Sequence, residues 1–367
     1  MHSEARLPRG PLLPLLVVAG SCLLTVLALE LGGRLVAGGR LLDSDLYLRT
    51  TRLAYEPHQR QRWRRLEWDV DYEINSRGFR DREPPVPGRP AVLFLGDSFT
   101  EGYGVELEKT FVRRVEAALA AAGRPEAVVN AGLQGRSLSN YLRIYEDLFA
   151  GNPDIGLVVM VFETSTDVEA AATDGYVALP GRAGALYRVK RFLSEHSILY
   201  NLVRRPSRGS RGVSRVLMKA GVMGPLEGWT MAVDPKQKPA WEDTARRIKA
   251  FRDRLKAEGK DFYLVLIPHR EQADAAYLEH MLAVTGLPRA MFQGEHFYDY
   301  MTTYAKANGI PFTGLLEPLR AAETAEPGCC FFLTDNHWNA RGHGVVARAI
   351  ADGLRRAGLP RARRRER

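Results

Sequence analysis

One stretch constrains this chain more than any other: Ala91-Val92-Leu93-Phe94-Leu95-Gly96-Asp97-Ser98-Phe99-Thr100. Five consecutive apolar residues stop at Gly-Asp-Ser, and a helix-like segment follows. That is the outline of a buried strand delivering one serine into a turn at its carboxyl end. In an open α/β sheet that edge is where ligands bind. Ser98 is therefore a candidate nucleophile. A serine nucleophile needs a base, a carboxylate to orient the base, and donors for the oxyanion.

The chain beyond this stretch repeats the same alternation. Thr110–Ala122 carries Phe111, Val115 and Leu119 at helical spacing and stops at Gly123. Ala127–Ala131 reads as a second strand, running into Gly132-Leu133-Gln134-Gly135-Arg136-Ser137, with a helix over 139–149. Ile155–Phe162 is a third strand, Asp261–Ile267 a fourth entered from a helix over 242–258, and Ile310–Leu315 a fifth. A last helix spans 340–357. Strands alternating with helices imply a parallel sheet covered on both faces. With 45% hydrophobic and 26% charged residues the chain is composed to fold, which excludes global disorder.

Before this domain lies an apolar run. Pro11–Leu29 is nineteen residues without a charge. As a helix it is about 28 Å long, close to the hydrocarbon thickness of a bilayer. Arg6 and Arg9 precede it, which favours a cytoplasmic amino end and an exported remainder. Two rivals stay open. A cleaved signal has a shorter apolar region, about 7–15 residues. A lipidated Cys22 would leave many apolar residues after it. All three put the soluble part outside the cytoplasm.

The other cysteines, Cys329 and Cys330, are adjacent and poorly placed to bridge each other, and read as small buried residues. No CxxC pair or Cys/His cluster is present, so a zinc site is not expected; no cofactor is expected either. The net charge is +9 and uneven. Residues 176–219 hold ten Arg/Lys against Glu195 alone, and Arg361–Arg367 adds five Arg against one Glu. The plain reading is a solvated basic face. The functional readings are contact with anionic lipid headgroups or attraction of an anionic polymer. Nucleic acid is not expected as a partner of an exported domain.

The second informative stretch is Thr334-Asp335-Asn336-His337-Trp338-Asn339-Ala340-Arg341-Gly342-His343. A loop just before the last helix can return to the carboxyl edge of the sheet. There His337 can take the proton of Ser98 while Asp335 holds the imidazole. Asp97 reads as fixing the turn beside Ser98 through backbone hydrogen bonds. His343 reads as packing or a cap, and Trp338 as a pocket wall in preference to a sugar platform. His269 and Arg270 fall on the same edge, either as substrate contacts or as a surface loop.

GDSFTEGYGV, NAGLQGRS and DNHWNARGH together resemble the SGNH (GDSL-type) hydrolase superfamily over about residues 75–357. The anchor and the NSRGFRDRE lead-in look like membrane-bound bacterial members, and the DxHW form resembles polysaccharide O-acetyltransferases of the alginate type. The resemblance implies a three-layer α/β/α fold, flavodoxin-like, with a parallel sheet of about five strands. It implies metal-free acyl chemistry on esters through an acyl-serine. Ser98, His337 and Asp335 match the catalytic residues. The backbone N–H groups of Ser98 and Gly135 match two oxyanion donors. The third donor should be an asparagine; here Thr166 stands in its place, with Ser165 and Asn140 as substitutes nearby. Losing one such donor can cost about 10²–10³ in rate. The substrate-binding residues are not identified.

The expected organisation is a cytoplasmic amino terminus over 1–10, a transmembrane anchor over 11–30, and a lead-in over 31–90. An SGNH-like domain follows over 91–358 with a basic insertion at about 168–240, then a basic tail over 359–367. The expected function is a periplasmic or extracellular, membrane-anchored esterase or O-acyltransferase. Its expected substrate is an acylated carbohydrate or small ester. A non-catalytic glycan-binding or assembly protein is the alternative.

Overall fold

In chain order the first element is helix α1 (Leu12–Ala37), followed by an antiparallel hairpin of β1 (Arg60–Arg64) and β2 (Asp69–Glu73). The strand that ends at the serine is β3 (Ala91–Gly96). It leads into the short α2 (Ser98–Glu101), then α3 (Phe111–Ala121), β4 (Ala127–Gly132), α4 (Leu138–Ile144) and β5 (Ile155–Glu163). After the insertion come α5 (Lys238–Ala257), β6 (Asp261–Ile267), α6 (Arg270–Ala273), α7 (Ala275–Thr285), α8 (Phe297–Ala307), β7 (Phe312–Gly314), α9 (Leu316–Ala325) and α10 (Ala340–Arg356). This computed structural model describes residues 12–37, 48–65, 67–124, 126–164, 167, 189, 192–193, 196–200, 235–285, 288–333 and 335–360. Most of the basic section 176–219 and the tail Arg361–Arg367 lie outside the described residues.

The sheet is parallel, in the order β4-β3-β5-β6-β7. Counted from β3 that is 2-1-3-4-5, the flavodoxin-like doubly wound order. Ala91 faces Ala127 on one side and Ile155 on the other, so β3 sits between β4 and β5 where the winding direction reverses. All six residues of β3 are buried, as the unbroken apolar run requires of a strand covered on both faces. α3 packs on α10 and α10 on α9; α5 packs on α8 and on β6. Gly96 ends β3 because a Cβ there would lie 2.1 Å from Thr100 Oγ1 and 3.0 Å from the Val161 carbonyl. Without a side chain, α2 can turn back onto the sheet directly after the serine.

The expected elements fall where they were read, with adjustments. The fifth strand is only three residues long at the sheet edge. The helix over 139–149 changes at Tyr145 into a π turn, Tyr145–Phe149. Helices α6 to α9 and the hairpin were not anticipated. Cys329 and Cys330 are buried as expected, but their sulfurs lie 3.4 Å apart. Glu323 accepts the N–H groups of Gly328 (2.6 Å) and Cys330 (2.7 Å), which folds this loop back on itself and brings both side chains inward.

Candidate active site

Ser98 is the first residue of α2, capped by Asp97, whose Oδ1 accepts the Phe99 N–H at 2.9 Å. The turn role read for Asp97 is the one seen. The partner residues come from the loop before α10. Phe331 and Trp338 pair across it, the Phe332 N–H donates to the His337 carbonyl (3.0 Å), and the Asn339 N–H donates to the Cys330 carbonyl (2.9 Å). Asn339 then caps α10 by accepting from Arg341 and Gly342. The closed loop presents Asp335 and His337 at its tip, over the carboxyl end of β3.

There Ser98 Oγ lies 2.7 Å from His337 Nε2, and His337 Nδ1 lies 2.5 Å from Asp335 Oδ1. Asp335 Oδ1 also accepts the His337 backbone N–H at 2.9 Å. With a carboxylate at Nδ1, that nitrogen carries the proton, and Nε2 is left to accept from the serine. Two aromatic rings pack on the imidazole. Tyr103 stacks on it at 3.9 Å between centroids and 12° between planes, and Phe99 lies on it at 4.6 Å. Tyr103 is in turn gripped by the hairpin. Trp63 meets it edge-on at 4.4 Å and Trp68 at 5.4 Å, while Trp68 also touches Phe332 at 4.7 Å. Burial, with Asp335 beside it, holds the Tyr103 phenol well above its ordinary range. The lead-in, to which the sequence assigned no chemistry, thus builds one wall of the site. The only trace of this in the sequence was its aromatic content.

The oxyanion side is partly in view. Neither the Ser98 nor the Gly135 N–H meets an acceptor among the described residues. Gly135 has φ +65, the left-handed region that glycine enters at little cost. Its turn is held by Glu101, which accepts the Gln134 N–H and Nε2 (both 2.8 Å) and the Tyr55 hydroxyl (3.0 Å). Burial pushes the Glu101 carboxyl up. Thr166 and Ser165 lie outside the described residues. Asn140 is engaged as a helix cap, its Oδ1 accepting the Ser137 N–H at 3.1 Å.

Arg270 was read as a substrate contact or a surface residue and is neither. It is buried, and its Nη1 donates to the carbonyls of Phe332 (2.8 Å) and Asp335 (2.9 Å). Nε and Nη2 pair with Asp274, and the guanidinium lies between Tyr277 and Phe331. It ties the loop bearing Asp335 to the end of β6. His269 is likewise buried, with Nδ1 3.5 Å from Glu271. Trp338 is fully buried behind Phe99, which rules out a sugar platform. His343 Nδ1 accepts the Phe111 N–H at 3.1 Å, a cap for α3, and burial lowers this imidazole to about 3. Glu323, Cys329 and Cys330 bring donor atoms within 4.8 Å of one another. Both Glu323 oxygens already accept backbone N–H groups, so the cluster serves as a loop closure.

A serine hydroxyl, an imidazole and a carboxylate lie in one hydrogen-bonded line at the switch point of a 2-1-3-4-5 parallel sheet, the arrangement of a serine–histidine–aspartate triad on an α/β fold. Residues 226–367 match the family model of the SGNH hydrolase-like domain, acetyltransferase AlgX. That range includes Asp335 and His337, so the SGNH resemblance of the motif blocks is met again in the carboxyl-terminal part; Ser98 and Gly135 precede it. Among solved structures, an acetylxylan esterase from Geobacillus stearothermophilus aligns at 15% identity, covering 76% of this chain and 98% of that one, with a TM-score of 0.41. A putative lipolytic protein of the G-D-S-L family from Desulfitobacterium hafniense aligns at 16% identity, covering 72% and 100%, with a TM-score of 0.40. No curated protein matches the chain.

Proposed function

We propose that this chain is a membrane-anchored serine esterase or O-acyltransferase that works through an acyl-serine, with an acylated cell-surface glycan or related ester as substrate. The observation that carries the reading is the continuous Ser98–His337–Asp335 line. His337 Nε2 takes the Ser98 proton as Oγ attacks the acyl carbonyl, and Asp335 stabilises the resulting imidazolium. The Ser98 and Gly135 N–H groups receive the oxyanion. His337 then protonates the leaving alcohol, the ester C–O bond breaks, and the acyl group stays on Ser98. Water or a sugar hydroxyl, deprotonated by His337, takes the acyl group and restores the serine. The acetyltransferase description of the matching family supports transfer and an acyl group of the acetyl class. The alternative of a non-catalytic protein draws on Thr166 and on the basic insertion, and the hydrogen-bonded line favours chemistry over it.

Full-length protein in detergent, given p-nitrophenyl acetate and a fluorophosphonate probe, tests the reading. The probe should label wild type. Ser98→Ala should not be labelled, and His337→Ala should lose about 10²–10⁴-fold in acylation rate. Equal reaction of wild type and Ser98→Ala would remove Ser98 from the mechanism. Adding an oligosaccharide acceptor separates the two fates: an acylated sugar in place of free acid marks a transferase.

A further inference from the structure

Helix α1 is long and apolar enough over Leu16–Leu35 to cross a membrane, and none of that window is buried. Its apolar run ends at Glu30, and Glu30 and Arg34 on the next turn are bonded to each other at 3.2 Å. They are also bonded to a short piece of the distant insertion. The Glu30 carboxylate accepts the N–H groups of Ile198 (2.9 Å) and Leu199 (3.1 Å) and the Ser197 hydroxyl (3.0 Å), and Arg34 donates to the His196 carbonyl (2.5 Å). This is the chemistry of a carboxylate at the amino end of a helical turn. Gly33 permits the contact: a Cβ there would already stand 3.1 Å from Ile198 Cγ2, and Ile198 is fully buried.

The clasp fixes residues 196–200 at the level where the apolar run of α1 stops. If that run spans the hydrocarbon, this level is the headgroup layer. Immediately before the clasp the segment shows apolar side chains to the outside. Val189 is 54% and Phe192 59% exposed, three residues apart, and the Phe192 ring is braced on His196 at 4.4 Å. Their sequence neighbours Arg188, Lys190 and Arg191 are cations, within a section that carries ten Arg/Lys and one acid. Exposed apolar side chains in a cation-rich stretch of sequence have the make-up of an interfacial element.

We infer that α1 and residues 189, 192–193 and 196–200, joined through Glu30 and Arg34, form a docking element for the anionic lipid headgroup layer, with Val189 and Phe192 entering the interface. The inference rests on the anchor reading of α1. It gives the basic insertion a partner.

Bimane on Phe192→Cys, in the full chain carrying Cys22→Ser, tests it in vesicles containing acyl-chain-brominated lipid. Bimane on the native Cys22 of the otherwise unaltered chain is the control for the anchor, and Cys22→Ser alone gives the background from Cys329 and Cys330. The label at 192 should be quenched about twofold or more in vesicles containing phosphatidylglycerol, and much less in phosphatidylcholine alone. Glu30→Ala should abolish quenching at 192 while Cys22 stays quenched. An unquenched label at 192 beside a quenched Cys22 overturns the docking element and leaves the anchor standing. Quenching indifferent to phosphatidylglycerol overturns the anionic partner. An unquenched Cys22 overturns the anchor and the docking element together.

Discussion

Asp97 is buried one residue before Ser98, where desolvation first and then the nearby Glu163 push its carboxyl up to about 7. A carboxyl with a raised pKa in the folded state binds its proton more tightly there than in the unfolded chain. Between the ordinary carboxylate value near ~4 and about 7, unfolding free energy therefore falls as pH rises. Asp97→Asn keeps an acceptor for the Phe99 N–H and removes the titration. Urea unfolding should show a flatter pH dependence across that window, and at pH 8 the variant should be more stable than wild type. Tyr103 acts through His337, on which it stacks. Tyr103→Phe should keep most of the acylation rate, while Tyr103→Ala removes the ring that holds the imidazole. The latter should lose at least about tenfold in kcat and about 3–5 kcal/mol of stability, read by p-nitrophenyl acetate kinetics and denaturant unfolding.

At the scale of elements, the loop Phe331–Trp338 decides whether there is a site. It reaches β3 from more than 230 residues away in sequence, and its position is set by groups that are not catalytic. Arg270 holds it from the end of β6, the hairpin presses on it through Trp68, and Glu67 accepts the Leu333 N–H at 2.5 Å. Arg270→Ala strands Asp274 in the interior and frees two loop carbonyls, at a cost of about 3–5 kcal/mol. Arg270→Lys keeps the charge but cannot span Asp274 and both carbonyls with a planar fork. It should retain more stability than the alanine variant yet lose acylation rate, a split that kinetics at a permissive temperature resolves. These supports were hard to read in sequence because each acts through a tertiary contact. An arginine after a strand has the same local pattern whether it faces solvent or a loop 60 residues downstream. The helices after β6 were missed for a related reason: they are short, at most eleven residues each, so each offers only two or three turns of apolar spacing.

At the scale of the whole molecule, the membrane reading makes a separable prediction. Full-length protein expressed with its amino-terminal run intact should stay with membranes through alkaline carbonate extraction and keep residues 1–30. Release into the supernatant with a shortened amino end would identify a cleaved signal instead. The parallel sheet was legible because its three central strands, β3, β5 and β6, are long and almost wholly apolar, the pattern expected of strands buried on both faces. The serine, histidine and aspartate were legible because their neighbours, Gly-Asp-Ser and Asp-x-His-Trp-Asn, are short-range features tied to tight turns. The chain's own residues therefore determined the fold class and the three groups of the Ser98–His337–Asp335 line. Tertiary structure alone decided what orients them: Tyr103 and Phe99 against the imidazole, Arg270 under the aspartate loop, Glu101 behind the Gly135 turn. A side chain's partner across a fold depends on which elements the sheet order brings together, and no local window of sequence contains that order.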